Sequence, residues 1–397
     1  MTVLPKINYK EPATGSDEAS QGALSAVAGS HLTVSESQEL VIAIKRTARD
    51  IGFDLVGIAD IQPSPHSDYI AEFFALGRHG TMDYLSRMAQ AKIDIRTHLP
   101  WAASAVCVAM SYHHSPGEVP AQISDVSANG TATGLSRGVM VDHTDASGNR
   151  VPAVRQPKAR IASYTAGRDY HRIFTGLLQK LERAVRTLMD GDITARAYVD
   201  TGPCLERELA VRAGLGWIGK NTMMIHPRHG SWFLLGELYL SVPLPADPPV
   251  PDRCGTCTRC LTACPTQALT PYRMDANKCI SYLTLETRGD IPEEFHAPMR
   301  DAGYMIGCDI CQSVCPFNRR PLGASHPDFQ PRGFSGTVSP QTVLHWTEHD
   351  WDQATRGRAF RRAKFNMWQR NAAILLGTGL SNGGVATGAS GHGAPWR

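Results

Sequence analysis

The chain has 397 residues, of which 42% are hydrophobic, and its formal net charge is +3 at pH 7. This length and composition allow a substantial buried core divided among two or three domains. No apolar stretch approaches the roughly 20 residues of a membrane helix, and the first 30 residues have neither the apolar core nor the paired arginines of an export signal. We therefore expect a cytoplasmic protein, and so small a net charge does not by itself indicate a partner.

The N-terminal part of the chain begins with residues 1–34, which are rich in Ser, Ala, Gly and Thr and have no periodicity. This segment is predicted to be a disordered leader. The first helix is predicted to follow it, with a capping box formed by Ser35 and Gln38 and an end at Gly52. The apolar run over residues 53–59 predicts the next strand.

Further strands are predicted at residues 105–110 and 193–199, where apolar and β-branched residues cluster. Between them, a helical stripe is formed by Ile173, Leu177, Leu181, Val185 and Leu188. Because strands and helices alternate, we assign residues 35–248 to an α/β or α+β domain. Residues 115–154 are rich in Gly, Ser, Pro and Asp and are predicted to form a long surface loop or lid.

Seven of the ten cysteines form two runs that both end in Cys-Pro, and an eighth, Cys279, lies between the runs. The first run is Cys254, Cys257, Cys260 and Cys264 before Pro265, and the second is Cys308, Cys311 and Cys315 before Pro316. In a bacterial ferredoxin run, three thiolates bind one 4Fe-4S cluster and the fourth, just before proline, binds the neighbouring cluster. The second run is one cysteine short, because Met305 lies three residues before Cys308. Cys279 can supply the missing ligand.

The crossed pattern divides these cysteines into two sets of four. We expect one cluster on Cys254, Cys257, Cys260 and Cys315, and the other on Cys264, Cys279, Cys308 and Cys311. Zinc sites also use Cys-x2-Cys pairs, and disulfides suit short secreted chains, but neither alternative explains the two Cys-Pro endings. Cys107 and Cys204 are interpreted as small buried apolar residues.

The chain after residue 248 is predicted to contain three segments. Prolines at residues 243–251 mark a boundary, so residues 249–320 are predicted to form a bacterial ferredoxin-like domain, residues 321–376 a basic helical segment, and residues 377–397 a disordered Gly-rich tail. Six cations and no acid lie in residues 356–370, interleaved with aromatic residues. This pattern is typical either of a solvated helix face with inward-packing aromatics or of a phosphate-binding patch for nucleic acid.

An acidic residue, Asp200, follows the predicted strand at 193–199 and precedes a predicted helix over residues 206–213. A carboxylate at the end of a strand suits general acid–base chemistry, although position alone favours an Asx-turn or a helix N-cap. The glycines around Trp217 do not form the G-x-G-x-x-G pattern of a dinucleotide site. The sequence therefore does not support a nicotinamide or flavin Rossmann site.

The order of several motifs resembles the epoxyqueuosine reductase family, whose members are cobalamin-dependent iron–sulfur enzymes that complete queuosine at the wobble position of tRNA. The resemblance spans about residues 37–377. It rests on both cysteine runs and on these motifs: Tyr164-x-x-Gly167-x-Asp169-Tyr170-His171, Val199-Asp200-Thr201-Gly202-Pro203 with Glu206-Arg207-Glu208, Gly216-Trp217-Ile218-Gly219-Lys220-Asn221, Gly230-Ser231-Trp232-Phe233, Cys279-Ile280-Ser281-Tyr282-Leu283-Thr284 and Arg370-Asn371-Ala372.

The resemblance implies that this chain reduces epoxyqueuosine to queuosine, with a cobalamin bound base-off between the N-terminal domain and two 4Fe-4S clusters. It implies that Asp200 donates a proton to the substrate. By motif, the cobalamin contacts fall on Arg96, Asp200, Met224, Leu235, Ser281 and Asp309. Ala162 stands where some members have a cysteine near the corrin.

The implied partners are a tRNA with epoxyqueuosine in its anticodon stem-loop and an external one-electron donor, and the implied enzyme is a monomer. A tRNA substrate favours the phosphate-binding interpretation of the basic segment, with Arg361, Arg362 and Lys364 as candidate contacts. Two alternatives remain: a corrinoid iron–sulfur reductase similar to reductive dehalogenases, and a non-catalytic electron-transfer subunit. The Asp-Thr-Gly-Pro segment argues against the first, and the size of the N-terminal domain argues against the second.

Overall fold

The computed structural model describes residues 33–114, 143–144, 150–151, 158–189, 193–333 and 336–378. Residues 1–32 of the predicted leader, most of the predicted loop over residues 115–154, and the predicted tail beyond residue 378 lie outside the described residues. The predicted end of the leader at residue 34 is wrong, because Thr33 caps the first helix and Val34 begins it. Within the described ranges, no helix is long and apolar enough to cross a membrane.

Helices and short strands alternate along the described parts of the chain. The α-helices are α1 Val34–Ile51, α2 Ser67–Ala75, α3 Asp83–Arg87, α4 Ala89–Ile93, α5 Tyr170–Met189, α6 Glu206–Arg212, α7 Arg259–Ala263, α8 Ile280–Leu285, α9 His296–Ala302, α10 Ile310–Ser313, α11 Pro340–Leu344, α12 Glu348–Thr355 and α13 Phe365–Leu376. The 3₁₀ helices are Ile95–Thr97, Ser163–Thr165, Ala276–Lys278, Glu293–Phe295, Pro316–Arg319, Pro327–Phe329 and Ala359–Arg362. The strands are β1 Leu55–Asp60, β2 Ser104–Ser111, β3 His143–Thr144, β4 Arg150–Val151, β5 Ala159–Ile161, β6 Ala195–Tyr198, β7 Trp217–Ile218, β8 Met224–Ile225, β9 Phe233–Leu240, β10 Leu269–Thr270, β11 Arg273–Met274, β12 Tyr304–Ile306 and β13 Thr337–Val338.

The N-terminal domain is built on a four-stranded sheet with the order β1-β2-β9-β6. Every neighbouring pair in this sheet is antiparallel. The three strands predicted in this region are confirmed as β1, β2 and β6. The predicted mixture of helices and strands is also confirmed, and the antiparallel pairing makes the domain α+β rather than a parallel α/β fold.

Helices cover both faces of this sheet. On one face, α1 and α5 pack against alternate strand residues, including Val106, Val108 and Leu238. On the other face, α6 packs against the intervening residues, including Ala105 and Cys107. Because successive strand side chains point to opposite faces and both faces are covered, β2 is buried along its whole length.

The first helix begins two residues earlier than the predicted capping box allows. Its N-cap is Thr33, whose side chain accepts a hydrogen bond from the backbone N–H of Glu36, and the carboxylate of Glu36 accepts one from the backbone N–H of Thr33. The box predicted at Ser35 and Gln38 is therefore wrong, because a hydroxyl and a carboxylate two positions earlier satisfy the free N–H groups of the first turn.

A second core joins the cysteine-rich region to the C-terminal segment. Strand β5 pairs in parallel with β12 and antiparallel with β13, so one small sheet contains three distant parts of the chain. Helix α13 packs against this sheet, and Phe360 and Trp368 are fully buried beside it. The aromatic residues of the basic segment therefore pack inward.

Helix α13 is also fixed to α8 by two buried polar side chains. Arg370 donates hydrogen bonds to the carbonyl oxygens of Leu283, at 2.9 Å, and Thr287, at 2.7 Å. Asn371 donates to the carbonyl oxygens of Thr284, at 3.1 Å, and Met305, at 3.0 Å. The bonds to Leu283 and Thr284 satisfy carbonyl groups that the end of α8 leaves without intrahelical partners.

Gly57 allows α6 to approach the sheet closely. A Cβ at this position would lie 2.0 Å from the carbonyl oxygen of Ala213. We predict that Gly57→Ala lowers the free energy of unfolding by about 1–3 kcal/mol, because the helix end must move away from β1. The measurement is the thermal midpoint of the anaerobic holoprotein.

The matched control is Gly176→Ala in α5, where a Cβ would meet nothing within 4 Å. That change is expected to raise stability by about 0.5–1 kcal/mol, because alanine favours a helix interior over glycine. Equal midpoints for wild type and Gly57→Ala would contradict the close packing of α6 on β1.

Candidate functional site

The first set of predicted cluster ligands surrounds one cavity. Cys254, Cys257 and Cys260 line it together with Cys315 from the second run. Burial raises the pKa of the Cys315 thiol, and the neighbouring charges of Cys254 and Cys257 raise it further. The fold therefore brings together four thiols that are separated by up to 61 positions in the sequence.

The second set of predicted ligands also converges. Burial raises the pKa of the Cys311 thiol to about 12, and the nearby thiols of Cys279 and Cys264 contribute to that rise. Burial raises the pKa of Cys308 too, with contributions from Cys279 and Cys311. The isolated Cys279 thus lies among the cysteines that it was expected to join.

The hairpin formed by β7 and β8 holds the loops of both cysteine runs. Lys220 Nζ donates hydrogen bonds to the carbonyl oxygens of Gly255, at 2.6 Å, and Cys257, at 3.1 Å. Asn221 Nδ2 donates to the carbonyl oxygen of Cys311, at 3.2 Å. The Gly-rich motif around Trp217 therefore positions the cysteine loops, which explains why it lacks the spacing of a dinucleotide site.

The segment before β9 is joined to the end of the second cysteine run through Asn318. Its Oδ1 accepts a hydrogen bond from the backbone N–H of Ser231 at 2.7 Å, and its Nδ2 donates to the carbonyl oxygen of Gln312 at 2.8 Å. A Cβ at Gly230, where φ is +74°, would lie 1.9 Å from Asn318 Oδ1. Only glycine fits this contact without displacing the loop after Cys315.

Asp200 lies just beyond the end of β6, and its side chain is 53% exposed. Its backbone has φ of +55°, a left-handed conformation that aspartate adopts more readily than most residues. The helix that follows begins at Glu206 and has Leu205 as its N-cap, without a side-chain cap. The interpretation of Asp200 as a helix cap is therefore wrong.

The Asp200 carboxylate lies within hydrogen-bonding distance of a histidine at the start of α5. His171 Nε2 is 3.2 Å from Asp200 Oδ2, and His171 Nδ1 is 2.7 Å from Asp169 Oδ1. Removal from water lowers the pKa of His171, but its bonds and charge interactions with the two aspartates outweigh this and raise it to about 9.

The same interaction decides the charge on Asp200. Removal from water raises the pKa of its carboxyl group, but the hydrogen bond and positive charge of His171, together with a hydrogen bond from Tyr170 and the charge of Arg362, lower it below the usual value. At neutral pH the pair is thus an imidazolium and a carboxylate. The proton between these residues is held on His171 Nε2.

The backbone of the Asp200 loop is fixed from two directions. The carboxylate of Glu206 accepts a hydrogen bond from the backbone N–H of Asp200. Lys92 Nζ donates to the carbonyl oxygens of Gly202, at 3.5 Å, and Cys204, at 3.3 Å. Burial, followed by repulsion from Asp200, raises the pKa of Glu206 to about 7.

Among the predicted cofactor contacts, Asp309 lies deepest. Its side chain is almost completely buried, and its Oδ2 accepts hydrogen bonds from both the N–H and the hydroxyl of Ser163, each at 2.8 Å. Burial raises the pKa of Tyr164, and the charges of Asp200 and Asp309 both contribute to that rise. Asp200 and Asp309 therefore lie on the same side of the molecule, around Tyr164.

The other predicted cofactor contacts are distributed around this region. Met224, which is buried, and Leu235, which is half-buried, belong to the apolar cluster beneath α6. Ser281 is half-buried in α8, two positions after Cys279. Arg96 is 42% exposed, and its guanidinium donates to the carboxylate of Asp94 at 2.9 and 2.8 Å.

Two of the three predicted tRNA contacts form ion pairs. Arg361 binds Asp352 at 2.5 Å, and Arg362 binds Glu286. Lys364 is exposed and precedes α13. The charge of Asp200 also acts on Arg362, so this arginine lies close to the Asp200 loop.

The sequence patterns assigned no role to His171, Glu206 or Lys92. His171 and Glu206 lie in motifs that contributed only to the resemblance to a family. An Asp-x-His pair at the start of a helix was the available signal for His171. Lys92 had no such signal, because its contact with the Asp200 loop joins residues about 110 positions apart.

Two family models match this chain. The model described as a 4Fe-4S double cluster binding domain matches residues 253–318, and the model described as epoxyqueuosine reductase QueG matches residues 92–201. The first match confirms two 4Fe-4S clusters as cofactors of the cysteine-rich region and decides against zinc and disulfides. The second includes Asp200 and His171.

Curated relatives match over most of their length. An epoxyqueuosine reductase from Pseudomonas aeruginosa is 36% identical over 88% of this chain and 89% of its own length. The enzyme of the same name from Escherichia coli K12 is 34% identical over 85% of this chain and 81% of its own length.

Solved structures agree with this grouping. A crystal structure of epoxyqueuosine reductase with an epoxyqueuosine-modified tRNA-Tyr stem loop is 27% identical, with a TM-score of 0.68, and the match covers 86% of this chain and 81% of that one. The Bacillus subtilis enzyme, captured with an aspartate-bearing catalytic loop swung out of the active site, is 25% identical, with a TM-score of 0.69 and coverage of 86% and 82%. The motifs, the fold and these relatives together show that the chain belongs to the epoxyqueuosine reductase family.

Proposed function

We propose that this chain is an oxidoreductase that reduces epoxyqueuosine to queuosine in tRNA, using two 4Fe-4S clusters and cobalamin. One observation carries the proposal: the protein combines a hydrogen-bonded series of charged groups, Asp169, His171 and Asp200, with a double-cluster domain. Conversion of an epoxide to an alkene and water requires two electrons and two protons. The clusters would supply the electrons one at a time, the charged groups would supply one proton, and solvent would supply the other.

The order in which the two clusters would act is part of this proposal. The charge of Arg207 acts on Cys279, and Arg207 directly follows the Glu206 that holds the Asp200 backbone, which links this cysteine set to the Asp200 loop. The cluster held by this set would therefore supply electrons to the substrate site, and the cluster held with Cys315 would receive them from an external one-electron donor.

The residues around Tyr164 fit a corrin. The edge of a corrin carries amide side arms, which need hydrogen-bond acceptors, and Asp309 keeps lone pairs beyond the two bonds from Ser163. Asp200, Ser281 and Asp309 would contact polar parts of the cofactor. Met224 and Leu235 would support an apolar part, and Arg96 would reach it after leaving Asp94. When bound, cobalamin supplies a strongly nucleophilic, low-valent cobalt.

The proton chemistry assigns separate tasks to the two residues of the ion pair. Breaking a carbon–oxygen bond of the epoxide develops negative charge on oxygen, which a positioned acid stabilises. Asp200 faces solvent at the loop, so it is the group that would contact that oxygen. His171 Nε2 holds the proton at neutral pH and would supply it through the Asp200 carboxylate, while Asp169 keeps the imidazole charged and oriented.

We also propose that the protein acts on the anticodon stem-loop of tRNA as a monomer in the cytoplasm. Arg361, Arg362 and Lys364 would contact phosphate groups near the wobble nucleoside. The first two would exchange their present carboxylate partners, Asp352 and Glu286, for phosphate oxygens. The position of Arg362 near Asp200 supports this role.

The reaction can be tested after anaerobic reconstitution with iron, sulfide, cobalamin and a reductant, using tRNA that carries epoxyqueuosine. The nucleosides should lose one oxygen atom, and this conversion should require cobalamin. Asp200→Asn should slow turnover by about 10² to 10⁴-fold, the usual contribution of a general acid. Asp68→Asn on the exposed face of α2 provides a control with the same chemical change.

The same assay has an expected pH dependence. Because the pKa of His171 is raised to about 9, the imidazolium is present below that pH and is lost above it. The single-turnover rate should therefore fall as pH rises through about 9. A rate that is unchanged in Asp200→Asn with cobalamin bound would show that another group is the acid.

The ligand sets predict the iron content of cysteine variants. Wild type should bind about eight irons, and either Cys279→Ala or Cys315→Ala should bind about four, because each change removes a ligand from a different cubane. Cys204→Ala, which changes a cysteine outside both sets, should retain about eight irons. Full iron content in Cys279→Ala would exclude that residue as a ligand.

The basic segment can be tested by tRNA binding at several salt concentrations. Alanine at Arg361, Arg362 and Lys364 should weaken binding and reduce the slope of log K against log salt by about 0.7–0.9 for each phosphate that the protein no longer neutralises. Unchanged affinity and slope would assign this segment to ordinary protein surface.

A further inference from the structure

A second basic site lies at Arg168, the residue that precedes Asp169. Four arginines line a surface pocket here: Arg168, Arg332, Arg356 and Arg358. None of the described lining residues is acidic. We call this the arginine pocket. Arg356 and Arg358 belong to the basic segment over residues 356–370, but the pocket contains none of the candidate tRNA contacts Arg361, Arg362 and Lys364 and none of the predicted cobalamin or cluster ligands.

Backbone hydrogen bonds build the arginine pocket from three separate segments. The N–H of Arg168 donates to the carbonyl oxygen of Asp328 at 2.8 Å, and the N–H of Arg332 donates to Ala166 at 3.1 Å. The N–H of Asp169 donates to the carbonyl oxygen of Gly357 at 2.8 Å. The positions of the arginine side chains are therefore set by a fixed backbone frame.

Close contacts at glycine make this frame specific. A Cβ at Gly167 would lie 2.4 Å from the carbonyl oxygen of Asp328. Gly333 and Gly357, which also line the pocket, have φ of +57° and +72°, a conformation that favours glycine. The backbone is thus shaped to bring the three segments together.

The carboxylates that contact these arginines are shared. Arg168 and Arg332 share one oxygen of Asp328, at 3.2 and 3.0 Å. Arg356 contacts Asp352, which also binds Arg361 from the basic segment. Each of these two aspartates therefore contacts two arginines of the described residues.

These arginines are also accessible to a ligand. The side chains of Arg168, Arg332 and Arg356 are 56%, 49% and 72% exposed, whereas the Asp328 side chain is 28% exposed. Arg358 lies deeper, where it donates to the carbonyl oxygens of Ala166 and Arg332. Planar guanidinium groups arranged in this way suit the oxygens of a phosphate, which they can bind through paired N–H donors.

The position of the pocket indicates which phosphate it binds. Arg168 immediately precedes Asp169, whose carboxylate orients His171 beside Asp200. A nucleoside at Asp200 would therefore have its neighbouring backbone close to the pocket. We infer that the arginine pocket binds a backbone phosphodiester of the tRNA next to the modified nucleoside, an inference that rests on the proposed function.

The experiment measures binding of epoxyqueuosine-containing tRNA to the reconstituted holoprotein between low and high salt, with nucleoside conversion followed in parallel. Arg168→Ala/Arg332→Ala should weaken binding about tenfold or more and reduce the salt slope by about 0.7–0.9, the value expected for one phosphate. Arg46→Ala/Arg183→Ala, on exposed faces of α1 and α5, removes the same charge elsewhere and should leave binding and conversion unchanged.

A second variant acts in the opposite direction. Asp328→Asn removes the carboxylate shared by Arg168 and Arg332, so it should tighten tRNA binding and steepen the salt slope. This result does not depend on the stability of the double alanine variant. Arg168→Lys/Arg332→Lys keeps the charge, and weaker binding by this variant would show that paired guanidinium donors are required.

The outcomes separate this inference from the proposed function. If wild type converts the tRNA but the double alanine variant and the control bind it equally well, the pocket assignment is overturned and the function stands. If inorganic phosphate binds the pocket saturably by calorimetry while tRNA affinity is independent of Arg168 and Arg332, the pocket takes a free anion and the assignment to tRNA fails. If wild type neither binds nor converts the tRNA, both are overturned.

Discussion

The return of Cys315 to the cavity lined by Cys254, Cys257 and Cys260 is the constraint on which much of this structure depends. A polypeptide can bring thiols from two runs together only if the intervening loops have fixed positions. The contacts of Lys220 and Asn221 with the cysteine loops, and of Asn318 with Ser231, provide that fixation from the N-terminal domain. The β7–β8 hairpin and the start of β9 are therefore as much part of the cluster region as the cysteines themselves.

The site at Asp200 combines an exposed side chain with a restrained backbone. Glu206 and Lys92 hold the loop through its backbone, while His171 interacts with the carboxylate. This separation leaves the charged group free to meet a substrate and keeps its position defined. In this chain, the carboxylate of Glu206 accepts a hydrogen bond from the backbone N–H of Asp200, so a change in the protonation of Glu206 would alter the hold on the loop.

Local patterns predicted much of the fold, and contacts between distant residues account for what they missed. The strands β1, β2 and β6 and the helix α5 follow from apolar periodicity, although Leu188, in the last turn of α5, is 42% exposed. The cysteine sets followed from spacing and the crossed pattern. The antiparallel order of the sheet, the burial of Arg370 and the contact of Lys92 with Gly202 did not follow, because each depends on pairing between segments far apart in the chain.

The buried bonds from Arg370 and Asn371 to α8 have a consequence for the timing of biosynthesis. On the ribosome, the cysteine runs emerge long before α13, so the carbonyl groups at the end of α8 are left to water until the last helix has been made. The iron-carrying half of the molecule cannot reach its final packing during that interval. Clusters would then be inserted either into an open, incompletely packed domain while the chain is still being synthesised, or into a closed domain after the chain has left the ribosome. The thiols are most accessible, both to cluster assembly and to oxygen, while the domain is open.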